Sequence, residues 1–230
     1  MALHGVMSTD EKAMEAVTER RDRTLTLVAR DRLEELILTG ELQAGSRLNE
    51  LTLSRQLGVS RGPIREAARL LERDGLVSSI ANQGVFVRQL SVEDAVELYE
   101  MRAVIAGYAC SCLAKRAGKE EKAELRRLVE EMDQCIIEVR EDDYFVLNLR
   151  FHDRIAELSG GRRTSELYSS LGKEVRLLRR RVLRGKDAME FSNGEHKEIL
   201  KAIELGDVAT ARDAAEQHHI SGKRRWLETL

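Results

Sequence analysis

Histidine is scarce in this chain, five among 230 residues, and three of the five fall where helical spacing turns them inward. Over residues 142–158, Asn148, His152 and Ile155 share a side, with Phe151 adjacent. Over residues 190–205, His196 aligns with Ile199, Leu200 and Ile203. Near the C-terminus Val208, Ala211, Ala215, His218 and Gly222 follow alternating steps of three and four, which is one helix face. His218 is therefore expected inside with room around it, and His219 is expected to face elsewhere. A single inward histidine is commonly a core residue with one hydrogen-bond partner. Three imidazoles from three helices favour a divalent metal, with zinc first and nickel or manganese as alternatives. Asn148, one turn before His152, can add an amide oxygen. Arg102 shares the stripe of Leu98, Ile105 and Ala109, so its charge heads inward as well. A buried guanidinium needs an anion. That anion is either a glutamate of a neighbouring helix or a small carboxylate held between Arg102 and the metal.

A second constellation suits a different chemistry. From Leu51 to Arg73 the charged residues are Arg55, Arg61, Arg65, Arg69 and Arg73 against Glu66 and Glu72, a local excess of three positive charges in a chain whose net charge is −2. Arg61 and Arg65 are four residues apart and share a helix face. A guanidinium can donate two hydrogen bonds to guanine O6 and N7, a contact worth roughly 1–3 kcal/mol of base discrimination. Ser60, Gly62, Arg55, Arg69 and the pair Gln83-Gly84 are suited to phosphate or minor-groove contacts.

These residues need elements to hold them. Leu27, Leu33 and Ile37 place an apolar stripe on a first helix that stops at Gly40. A second helix is predicted over 50–57, closed by Gly58. A third opens at Ser60 as N-cap and admits Pro63 in its first turn. The period then changes: residues 76–80 and 85–87 read as two short strands around a polar turn. Three helices and a hairpin make a winged helix-turn-helix, in which the third helix meets base edges. From Ser91 onward the spacing predicts six helices, near 91–117, 119–139, 142–158, 164–184, 190–205 and 207–228, with Asn193-Gly194 among the punctuation. The expected fold is mainly α: an N-terminal winged helix-turn-helix over 21–89 and a C-terminal all-α helical bundle over 91–230, preceded by a mobile tail over 1–20.

Composition narrows the classes. With 42% hydrophobic residues there is enough to build cores, and 34% charged residues suit a soluble surface. No run of about 18 apolar residues exists to cross a membrane, and the polar N-terminus lacks a signal-peptide core, so the cytoplasm is expected. Cys110, Cys112 and Cys135 fit free buried thiols of a reducing compartment.

The stretch from Leu36 to Val87 resembles the winged helix of the GntR family of bacterial regulators. The likeness rests above all on LGVSRGPIREAA, residues 57–68, and on the glycine-containing wing. Ala44 stands where the family usually has proline, which loosens a turn without touching the DNA face. By position the resemblance assigns base reading to Arg61 and Arg65 and backbone contacts to Ser60 and Gly84. Residues 91–230 resemble the FCD effector domain of the FadR subfamily, in its shorter VanR-like, six-helix variety. The resembling segments are Glu100-Met101-Arg102, Asn148-Leu149-Arg150-Phe151-His152, Glu195-His196-Lys197 and Gln217-His218. The resemblance implies a divalent metal on Asn148, His152, His196 and His218 and an organic-acid effector. Asn148 replaces a commoner aspartate, Ala106 a usual glutamate, and Gly161-Arg162 a usual Asn-Pro pair.

The expected function is that of a homodimeric transcription repressor on a palindromic operator, released by a small carboxylate at Arg102. Two alternatives stand beside it: the same regulator with a purely structural metal and no effector, and a metal-dependent enzyme. The second lacks a general base, since Glu195 sits about 100° around the helix from His196.

Overall fold

The structure, a computed structural model, describes the backbone of residues 9–230, and side-chain surroundings from Thr24 onward apart from residues 173, 177 and 179–181. The chain divides into two compact units that meet between Gln89 and Leu90. Among the described residues it has nine helices and one two-stranded sheet.

In the first unit, helix α1 spans Thr9–Thr39, α2 Glu50–Leu57 and α3 Arg61–Arg73. Helix α1 begins earlier than the expected stripe: the backbone is helical from Thr9, within the segment read as a tail, and residues 1–8 lie outside the described residues. Glutamate, alanine, methionine and arginine in that segment favour helix by propensity even where no apolar stripe exists. Leu27 is half exposed, and the buried face is Ala29, Leu33, Leu36 and Ile37. It packs on Ile64, Ala67 and Leu71 of α3. Each fully buried leucine here contributes about 1.5–3 kcal/mol. Arg30 reaches Glu34 at 3.0 Å and Asp74, beyond the end of α3, at 2.9 Å, tying the two helices together. Asn49 caps α2 through bonds from the Leu51 and Thr52 amides, and Gly58 ends it in the left-handed region. Strands β1 (Val77–Ile80) and β2 (Gly84–Val87) pair antiparallel. The segment before α2 adds to them: Leu48 N–H donates to Val85 O and Val87 N–H to Ser46 O, each at 2.8 Å.

The second unit is a bundle of α4 (Val92–Arg116), α5 (Lys119–Ile137), α6 (Glu141–Leu158), α7 (Arg162–Val182), α8 (Lys186–Leu205) and α9 (Val208–Leu227). Helix α8 begins four residues before its expected start and runs unbroken through Asn193-Gly194. Gly194 costs helix propensity, but packing overrides it: Asn193 is buried and its amide donates to Val129 O and Asp133 Oδ1. Helices α4 and α9 pack along most of their length. Ala103, Ala106, Gly107, Ala109 and Ala114 on α4 face a partner that offers Ala211 and Ala215, so the backbones approach closely.

Two apolar clusters fill the bundle. One holds Leu113, Leu125, Met132, Phe151, Ile199, Ile203 and Ala211 among others. The other holds Ala95, Tyr99, Val175, Val182 and Trp226. On α4, α7 and α9 alike the polar residues fall between the two: Arg102, Gly172, and His218 with His219. The bundle thus carries a polar layer between two apolar ones.

Cys110 and Cys135 are buried free thiols, whereas Cys112 is only half-buried because its side of α4 is less covered. Burial pushes the Cys110 thiol up to about 12. An alkylating reagent at pH 8 is expected to label Cys112 and to leave Cys110 untouched until denaturant is added, as read by peptide mass spectrometry. Labelling of Cys110 in the native protein at the Cys112 rate would contradict the α4–α9 packing.

Candidate metal centre and nucleic-acid interface

The polar layer is built from five helices. Asn148 and His152 come from α6, His196 from α8 and His218 from α9; all are buried, at 4% exposure or less. His152 Nε2 lies 3.2 Å from His196 Nε2 and 3.1 Å from His218 Nε2. One ring nitrogen from each of the three lies within 4.8 Å of the others.

The outer contacts decide where the protons sit. Asn193 Oδ1 accepts at 3.2 Å from His196 Nδ1, because the Asn193 amide nitrogen is already committed to Val129 and Asp133. Glu195 Oε2 lies 2.8 Å from His218 Nδ1 and accepts its proton. With those protons so placed, both Nε2 atoms act as acceptors turned toward His152 Nε2. One proton on His152 can satisfy one neighbour and not both. Asn148 Nδ2 donates to His196 Nε2 at 3.3 Å, while Asn148 Oδ1 is buried with no hydrogen-bond partner. Exchanging the ends of that amide would turn its oxygen toward the imidazoles. Three converging lone pairs and an orphaned amide oxygen form a donor set that fits a divalent cation.

Glu195 is a residue the sequence reading placed away from the site. It does point away from His196 on α8, but α9 brings His218 to it. Its carboxyl is pushed up by burial, opposed by the guanidinium of Arg225 at 3.3 Å. Its role is thus fixed as an orienting acceptor. His219 also departs from expectation: it is buried, with Nδ1 donating to Ala215 O at 2.9 Å and Nε2 accepting from the Tyr168 hydroxyl at 3.0 Å. Helix α7 covers the face of α9 that the spacing left open. With both nitrogens engaged, His219 is a neighbour of the triad and not a fourth donor.

Arg102 is 2% exposed. Its Nη1 donates to Tyr168 O at 2.9 Å, and its guanidinium lies 3.9 Å from the Tyr168 ring centroid, both neutral groups. Tyr168 therefore ties Arg102 to His219, a link that spacing alone gave no means of finding. A small cavity of about 20 Å³ is lined by Arg102, Ser192, His218, His219 and Arg225 among others. A second, about 10 Å³, runs along His152, Cys110, Ala106 and Ile199. His219 borders both.

In the first unit, Arg61, Arg65 and Arg69 all lie exposed on α3, one turn apart. With Arg47, Ser79 and Gly84 they line a groove of about 580 Å³ between α3 and the wing. Arg61 Nη2 reaches Glu50 Oε2 at 3.1 Å and Arg65 Nε reaches it at 2.8 Å. One carboxylate on the first turn of α2 thus sets both arginines side by side. Arg69 pairs with Glu66 at 2.7 Å. Ser60 occupies the N-cap position but its hydroxyl makes no capping bond. The reason is Pro63 at the third helical position, where the N–H that a capping serine would bind is missing. Arg55, Gly62 and Gln83 are exposed, and Gly84 opens β2 at φ 109°. A Cβ there would come within 2.9 Å of Arg47 Nε, so the wing needs glycine to seat Arg47, a basic residue outside the motif stretch.

Comparison with known proteins agrees with this architecture. Residues 25–87 match the model of bacterial regulatory proteins of the gntR family, and residues 97–221 match the FCD domain. The chain is 30% identical over 189 residues to the HTH-type transcriptional regulator YdhC of Bacillus subtilis, covering 82% of this chain and 83% of that protein. It is 28% identical to a probable D-xylose utilization operon transcriptional repressor of Paenarthrobacter nicotinovorans, covering 89% and 90%. A solved structure of a putative GntR regulator from Rhodococcus sp. RHA1 superimposes with a TM-score of 0.71 at 26% identity, covering 89% of this chain and 98% of that one. The chain belongs to the GntR family of bacterial transcriptional regulators, with an FCD domain after the winged helix. It is a DNA-binding regulator of transcription; its family and relatives are regulators and not enzymes. No helix among the described residues is long and apolar enough to cross a membrane.

Gly172 on α7 makes room for Arg102: a Cβ there would lie 2.5 Å from Arg102 Nη1. Gly172→Ala is expected to displace the buried guanidinium and to destabilise the bundle by about 1–3 kcal/mol in urea unfolding. A variant as stable as the parent would show that Arg102 moves aside without cost.

Proposed function

We propose that this regulator is a repressor that binds a palindromic operator as a homodimer and is released when a small organic acid enters the polar layer of its bundle. Arg61 and Arg65 read bases in this account, while Arg55, Ser60, Gly62, Arg69, Gln83 and Gly84 meet phosphate or the minor groove. Asn148, His152, His196 and His218 hold a divalent ion, zinc in the first instance. The observation that carries the metal reading is the convergence of three buried Nε2 atoms, with His196 and His218 oriented by Asn193 and Glu195 at their Nδ1 atoms. A bound ion would supply a positive charge to which a carboxylate oxygen can attach.

Arg102 supports the effector reading because its guanidinium and the edge of the triad, His218, line one cavity. A carboxylate there would meet the Arg102 guanidinium in a dry interior, where a charge-assisted pair is strong. An exposed apolar stripe on α4, with Met101 at 42%, Val104 at 60% and Tyr108 at 51%, supports burial against a second copy. Coupling of only a few kcal/mol between acid and operator suffices to switch occupancy. Glu195 is bonded to His218 and Arg225 and so is not placed to serve as a general base, which disfavours metal-dependent catalysis.

The test is operator binding to the DNA upstream of the gene, with and without a panel of carboxylic acids. Release by one acid, abolished in Arg102→Ala, is expected. Binding that is tight and indifferent to every acid would leave a structural metal and no effector. In the same assay Arg61→Ala is expected to lose about 1–3 kcal/mol of specific affinity, roughly five- to 150-fold, while keeping non-specific binding. Unchanged operator selectivity in Arg61→Ala would contradict the assignment of α3 as reading helix.

A further inference from the structure

The cavity beside the triad contains more donor capacity than a single carboxylate can use. Ser192 on α8 is completely buried, and its Oγ has no hydrogen-bond partner. Helical serines usually return their hydroxyl to a carbonyl one turn back, as Ser54 and Ser111 do here at 3.0 and 2.7 Å. Ser192 does not, and it lines the same cavity as Arg102. Arg225 on α9 lines it too. Arg225 Nη2 is held by Glu195 at 3.3 Å, and the guanidinium lies 4.8 Å from the Phe191 ring centroid. Its Nε and Nη1 are buried without hydrogen-bond partners. Three donor atoms of two residues are thus withdrawn from water and not matched by protein acceptors, a state that a bound acceptor relieves.

We infer that Ser192 and Arg225 form a second anion anchor in the Arg102 cavity, and that the effector carries two acidic groups: a short dicarboxylate. The inference rests on the reading of this cavity as the effector site and adds its chemical class. The charges agree with it. Arg102 and Arg225 both line the cavity and so bring two guanidinium groups to it, the second held by Glu195. A monocarboxylate on Arg102 would leave the Ser192 hydroxyl and two Arg225 nitrogens as they are. A second carboxylate would accept from the Ser192 hydroxyl and from Arg225.

The test compares acids of equal chain length on the full-length protein by isothermal titration and by thermal shift. Malonate, succinate and glutarate are set against propionate, butyrate and valerate. At one chain length the dicarboxylate is expected to bind at least about tenfold tighter than its monocarboxylate, which corresponds to about 1.4 kcal/mol. Arg225→Gln is expected to erase that ratio. Ser192→Ala, which disturbs no hydrogen bond of the structure, is expected to reduce the ratio several-fold. Melting temperature and metal content like those of the parent show that each variant is folded.

Equal binding of the two acid series, or a ratio that survives Arg225→Gln and Ser192→Ala alike, would overturn the second anchor and leave the Arg102 reading standing. If no acid of either series binds, or if Arg102→Ala leaves binding unchanged, the effector reading falls and this inference with it.

Discussion

Three imidazole nitrogens lie within 4.8 Å of one another in a dry interior, with His152 Nε2 3.2 Å from that of His196 and 3.1 Å from that of His218, a crowding of donors that a cation between them would relieve. The outer partners intensify it. Asn193 and Glu195 take the Nδ1 protons of His196 and His218, which leaves both rings as acceptors aimed at His152. The same carboxylate of Glu195 also engages Arg225, so the acid that orients a triad ring is linked to the cavity that holds Arg102. The histidine triad and the Arg102 cavity therefore share one electrostatic layer. The apolar clusters on either side fix its height in the bundle, and the small residues of α4 and α9 let Arg102 and the paired histidines share it.

The winged helix obeys a different logic. Its charged residues lie at the surface, where ion pairs contribute little to stability and serve to place side chains. Glu50 gathers Arg61 and Arg65 before any DNA is present. Pro63 removes the amide that would have engaged Ser60, so the hydroxyl at the mouth of α3 keeps its capacity for an external acceptor. Gly84 lets Arg47 lie against the wing. The backbone around the groove is set by local hydrogen bonds of residues 45–48 with β2, and not by the arginines themselves.

Much of this was legible before the structure. The glycines at 40, 58 and 206 marked helix ends because each adopts the left-handed backbone that a helix terminus requires. The inward aim of His152, His196, His218 and Arg102 followed from spacing on one face. What spacing could not supply was the identity of neighbours from other helices. His219 lies off the face of His218, as its spacing predicts, but spacing could not show that α7 covers that side with Tyr168. Asn193-Gly194 looked like a helix break because the residue types favour one, while the amide of Asn193 was committed to α5 and to the ring of His196. Glu50 lies one position before the basic stretch, and only the folded turn between α2 and α3 brings it to the two arginines.

The most direct measurement is the metal content of the protein purified without chelator or affinity metal, taken together with X-ray absorption spectroscopy at the edge of whatever ion is found. The account predicts one divalent ion per chain, a first shell of three imidazole nitrogens with added oxygen, and loss of the ion in His196→Ala. Protein that carries no ion, gains no thermal stability from zinc, nickel or manganese, and keeps its fold in that state would contradict the claim that the triad is a metal centre.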